Sequence, residues 1–244
     1  MKRVVFFHIP KTAGSSFNRM LRENYGEALY SCDLNGSHHA GREHFQAMPE
    51  EERFRFRCIT GHLVPEFLAH VPRPYTLLTF LRHPVSRVVS LYNYFMTVDQ
   101  SPLRDSLRAS GVGLRDYVTS GPEDEARNGM VRRLTGTLYR PTSLSGEELL
   151  RQAKDALRKY FRFVGLQENF DASCRAVQKL CGLTKVVSCT VNPSRGRKPS
   201  DLKPATVQAI RRANVLDMEL CLYGLKLHGR HMHALGLGEF AIPA

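Results

Sequence analysis

The chain has 244 residues, 42% hydrophobic and 24% charged, with 35 Lys plus Arg against 23 Asp plus Glu and a formal charge of +12. These figures exclude a disordered chain, allow one domain with a large core, and favour anionic partners: nucleic acid, an anionic glycan or a highly charged nucleotide. No apolar run reaches membrane-spanning length, and Met1-Lys2-Arg3 opens directly into an apolar stretch too short for a secretory signal, so a cytoplasmic location is expected. Six cysteines occur without a C-x-x-C pair, which argues for reduced core thiols and against a zinc site.

Val4-Val5-Phe6-Phe7 reads as a buried strand, and Phe17, Met20 and Leu21 repeat at helical spacing soon after. Between them, His8-Ile9-Pro10-Lys11-Thr12-Ala13-Gly14-Ser15-Ser16 forms a strand-to-helix loop suited to an anion. The helix N-terminus offers backbone donors and a positive dipole end, Lys11 adds a charge, and Thr12, Ser15 and Ser16 add hydroxyls. The same residues serve equally as turn formers, with Ser15 or Ser16 as an N-cap. The spacing is not that of the nucleoside triphosphate loop G-x-x-x-x-G-K-[ST].

Ser31 to Gly41 is turn-rich and reads as a loop; its His38-His39 pair lacks a third ligand at metal spacing. A short apolar strand then ends at Gly61, which places His62 where open α/β sheets bind ligands. Thr76 to Leu81 reads as a strand, Pro84 as a first helical residue, and Val85, Val88, Val89 and Tyr92 as one apolar helix face. Arg82 at the strand end and Ser90 on the helix are placed to converge on one anionic group, unless Arg82 pairs with a carboxylate and Ser90 is merely exposed.

Residues 99–121 are less regular, and Arg127 to Gly136 carries basic groups along an apolar helical stripe. Ser145 and Glu148 form a capping-box pattern before a stripe of Leu149, Ala153, Leu157 and Tyr160. A strand from Phe161 to Leu166 and a helix from Phe170 to Cys181 ending at Gly182 follow. Asn192 to Ser200 is a basic loop, with Arg197 and Lys198 either clamping a phosphate or simply solvated, before two terminal helices. Alternating strands and helices predict an α/β fold in a single domain, with a central, mainly parallel sheet flanked by helices.

Taken together, the two strand-loop-helix stretches resemble the sulfotransferases that use 3′-phosphoadenosine 5′-phosphosulfate (PAPS). His8 to Ser16 is similar to the 5′-phosphosulfate loop of the branch that includes heparan sulfate 2-O-sulfotransferase, and Leu81 to Tyr92 to the 3′-phosphate motif with its Arg and Ser. Weaker similarity continues through Phe163 to Glu168, Arg197-Lys198 and Asp217 to Tyr223. The resemblance implies a P-loop-like sulfotransferase domain over residues 1–244, with residues 95–150 as an acceptor-side or lid segment.

It further implies that Lys11, Thr12, Ala13, Gly14, Ser15 and Ser16 hold the phosphosulfate, and that Arg82, Ser90, Arg197 and Lys198 hold the 3′-phosphate. Lys11 and His62 take catalytic roles, His62 as general base, and no metal is expected. The implied partner is a hydroxylated glycan or small molecule, not nucleic acid or a membrane; the oligomeric state is not legible. A P-loop kinase and a non-catalytic basic module binding an anionic polymer are the rival readings.

Overall fold

In the computed structural model the described residues are 2–34, 36–97, 105, 109, 111–121, 124–138, 140–186 and 196–238. Cys189, Asn192 to Arg195 and most of residues 99–110 therefore lie outside them. Five strands, β1 (Val4–Phe7), β2 (Leu29–Ser31), β3 (Cys58–Gly61), β4 (Thr76–Leu81) and β5 (Phe163–Leu166), form one sheet in the order β2-β3-β1-β4-β5. Every neighbouring pair is parallel, with β1 central: Val4 lies opposite Cys58 on one side and Thr76 on the other.

The helices are α1 (Gly14–Tyr25), α2 (His38–Ala47), α3 (Glu50–Arg55), α4 (Pro84–Thr97), α5 (Leu114–Ser120), α6 (Gly129–Leu134), α7 (Gly146–Lys159), α8 (Phe170–Cys181), α9 (Pro204–Ala213) and α10 (Val215–Ala234). Period-two alternation divides the side chains of β1 between two cores. Val4 and Phe6 face Phe17, Met20 and Leu21 of α1 and Cys174 and Val177 of α8. Val5 and Phe7 face the other way, towards Phe45 of α2, Leu149 and Leu157 of α7 and Leu220 and Leu227 of α10. Because helices cover both faces, every β1 residue is buried, as its unbroken apolar run requires. A third cluster joins Val85, Val88 and Val89 of α4 to Tyr117 of α5 and Ile210 of α9.

Three local expectations shift. The turn-rich stretch becomes helix from His38, because the Ser37 hydroxyl accepts the Ala40 N–H at 3.2 Å. Tyr160 follows the last residue of α7 and is 68% exposed, so the apolar stripe ends at Leu157. The fifth strand begins at Phe163, although Arg162 N–H already donates to the Leu77 carbonyl at 2.9 Å. Ser145 does cap α7, accepting the Glu148 N–H at 3.2 Å, but the Glu148 carboxylate turns to Arg151. No helix among the described residues is long and apolar enough to cross a membrane.

Candidate active site

The carboxyl ends of β3, β1 and β4 lie side by side, so the segments that follow them share one edge of the sheet. The connection from β3 to β4 passes across β1, a change of direction of the kind that opens a ligand crevice in such sheets. Here the His8 N–H donates to the Gly61 carbonyl at 3.0 Å, which joins the first loop to the β3 end that carries His62.

The loop between β1 and α1 has an unusual backbone. Lys11 and Ala13 adopt left-handed conformations with φ of 67° and 76°, costing about 1–3 kcal/mol each for residues with a Cβ. Side chains hold this shape through three successive carbonyls. The Thr12 hydroxyl donates to Ile9 O at 2.7 Å, Arg87 Nε to Pro10 O at 3.2 Å, and Arg82 Nη1 to Lys11 O at 3.1 Å. These three bonds tie back the carbonyls that precede and include the first left-handed residue, Lys11.

The N-cap of α1 is Ala13, which has no side-chain acceptor, so neither Ser15 nor Ser16 caps the helix. No side chain of the N-cap therefore satisfies the first-turn N–H groups. Thr12 is fully buried and its hydroxyl proton is engaged with Ile9, so its hydroxyl braces the loop. Gly14 is required: a Cβ there would overlap the imidazole of His8. Lys11 Nζ rests over the Tyr94 ring, 4.2 Å from its centroid, and burial followed by the charge of Arg82 lowers the ammonium to about 8.

Arg82 makes no hydrogen bond or ion pair to a carboxylate among the described residues. Glu168, the nearest acidic influence on it, accepts the His83 N–H at 2.8 Å instead. Among the described residues the buried Arg82 Nε has no hydrogen-bond partner, an uncommon state for a buried donor. Ser90 is 8% exposed on α4, one turn before Asn93, whose amide donates to the Arg197 carbonyl at 2.8 Å. A Cβ on Gly196, at φ 133°, would strike the Asn93 side chain, so this glycine permits the close docking. From Gly196 onward the basic loop therefore lies against α4, with the Arg197 and Lys198 side chains exposed.

His62 stands at the other flank in a cluster of three rings. Its centroid is 4.7 Å from that of His8 and 3.8 Å from that of His38. Burial holds His62 far below the ordinary imidazole range, helped by His8, Arg133, His38 and Arg42. His8 is lowered to about 3, again chiefly by burial. All three rings are therefore neutral at physiological pH.

Sequence reasoning missed Arg87, the largest fully buried side chain. It pairs with Glu125, lies 4.0 Å from Asp217, and ties both to the Pro10 carbonyl. Glu125 also holds Arg133 at 2.7 Å, beside the histidines, while Asp217 accepts the Met130 and Val131 N–H groups at 3.0 and 2.9 Å. One buried network thus fixes the loop, the start of α6 and α10. Among the described residues no group of three or more His, Cys, Asp or Glu is arranged to hold a metal ion.

A family model described as Sulfotransferase family matches residues 1–223, a span that includes both loops, the His62 cluster and the buried network. The chain belongs to the sulfotransferase family. A search of curated proteins finds no match. Membership accounts for the parallel sheet with its strand-loop-helix at the centre, and makes sulfuryl transfer the chemistry in which the residues above are to be understood.

Proposed function

We propose that this sulfotransferase moves a sulfuryl group from PAPS to the hydroxyl of a carbohydrate or small molecule, in the manner of the heparan sulfate 2-O branch. The observation that carries the reading is the bond from Arg82 Nη1 to the Lys11 carbonyl, which makes the two anion loops one surface. A donor with phosphate-type groups at two positions needs such a pair of loops. Bound there, PAPS supplies an activated sulfuryl group on a bridging oxygen.

The chain's own residues divide the remaining work. The backbone of residues 12–16 and Lys11 hold the phosphosulfate end, and Arg82, through its unpartnered Nε, holds the 3′-phosphate with Ser90, Arg197 and Lys198. Lys11 is displaced from Tyr94 towards the developing negative charge on the bridging oxygen. His62, neutral and half-buried, takes the proton of the attacking hydroxyl as the new O–S bond forms. Burial is the main cause of the low basicity of His62, and an anion in the Lys11 loop offsets only the further lowering by Arg133 and Arg42. The 95–150 segment contributes Arg133 to the acceptor side and is the place where specificity resides.

Mass spectrometry of PAPS incubated with desulfated heparin, chondroitin, a hydroxysteroid and a simple phenol tests the assignment. A product heavier by one sulfuryl group is expected for one of these classes. Consumption of ATP with magnesium, and not of PAPS, favours the kinase reading.

A further inference from the structure

His62 lacks the hydrogen bond that ordinarily orients a histidine base. Among the described residues no protein group bonds either ring nitrogen; only its main-chain carbonyl is held, by Arg42 Nη1 at 2.7 Å. The ring is fixed by other rings. His8 packs at 56° to it, and His38 packs at 32°, with centroids 3.8 Å apart. His38 opens α2, whose N-terminus Ser37 caps, and its Nε2 lies 4.0 Å from Asp33 Oδ2. Among the described residues its buried Nδ1 has no hydrogen-bond partner, so His38 gives up a polar contact to lie against His62.

We propose that His38 is a positioning residue for His62: its imidazole acts as a cover that sets the plane of the His62 ring and keeps water from that face of it. The inference rests on the reading of His62 as the base. The contact supplies what a carboxylate or carbonyl supplies elsewhere, with one difference: a carboxylate would raise the basicity of the ring, whereas a neutral cover that excludes water lowers it. The base is thus kept unprotonated near neutrality, and its orientation is set by packing. The charged and titratable groups facing His62 are His8 from the end of β1, His38 and Arg42 from α2, and Arg133 from α6, while Asp33 faces His38 from outside.

Histidine NMR titration of the whole protein, with His38→Ala and His38→Phe beside the parent, tests this without needing an acceptor. In His38→Ala water reaches His62, and its midpoint rises by about one unit or more; in His38→Phe, where a flat ring remains, it stays low. Sulfate transfer from PAPS to the acceptor found in the panel above falls about 10- to 100-fold in His38→Ala, with the KM for PAPS unchanged, and is largely restored in His38→Phe. A midpoint unmoved in His38→Ala, or a His38→Phe variant as poor as His38→Ala, overturns the inference. A midpoint that moves while transfer stays intact overturns instead the base reading of His62 on which the catalytic purpose of the contact rests.

Discussion

Arg82 donates from Nη1 to the main-chain carbonyl of Lys11 at 3.1 Å, across 71 positions of sequence, and its buried Nε has no hydrogen-bond partner among the described residues. One guanidinium therefore shapes the loop after β1 and keeps a buried donor unused. Replacing Arg82 by Ala removes a charge-assisted contact and lowers affinity for 3′,5′-ADP by roughly 10- to 100-fold, which calorimetry checks. Affinity equal to that of the parent would mean that Arg82 serves only the backbone of the loop.

The first loop is equally exposed to test at Gly14. A Cβ there meets the His8 imidazole, so Gly14→Ala displaces either the helix start or the ring. Donor binding weakens by at least about 10-fold, and the global fold survives because the clash is confined to one loop. Circular dichroism with a 3′,5′-ADP titration separates the two outcomes.

Glu125 joins Arg87 to Arg133 in the interior. Glu125→Ala leaves Arg87 without its closest counter-charge, a change that costs about 3–5 kcal/mol and lowers Tm by roughly 6–20 °C for a chain of this size. Differential scanning calorimetry measures it. A loss near zero would show that Asp217, 4.0 Å from Arg87, compensates alone.

The pH dependence follows from Lys11 and His62. Lys11 is lowered to about 8, so it is cationic below that value and neutral above it. With Lys11 in its proposed role at the donor, kcat/KM for PAPS is expected to fall as pH rises through about 8. His62 is held far below the imidazole range, so no loss is expected on the acid side between about pH 6 and 8. A bell centred near neutrality would contradict the assignment of His62. His62→Ala keeps 3′,5′-ADP binding and lowers transfer by about 100-fold or more.

Much of this was legible in the chain itself. The runs Val4 to Phe7 and Thr76 to Leu81 coincide with β1 and β4, and Pro84 begins α4, because buried parallel strands and proline-started helices leave local signals. His38 at the start of a helix was hidden behind Gly36 and Ser37, residues that signal turns and caps alike. Arg87, Glu125 and the stacking of His38 on His62 left no trace. Arg87 and Glu125 lie 38 positions apart and His38 and His62 lie 24 apart, and a charge pattern along a chain carries no record of which charges meet in space.

The central claim is that Lys11 to Ser16 and Arg82 with Ser90 form one site for a nucleotide bearing a 3′-phosphate and a 5′-phosphate. Thermal stabilisation by 3′,5′-ADP without metal, compared with 5′-AMP and with ATP plus magnesium, tests it most directly. The account predicts a rise in Tm with 3′,5′-ADP that largely disappears with 5′-AMP and in Arg82→Ala. Stabilisation by ATP only in the presence of magnesium, with none by 3′,5′-ADP, would contradict it.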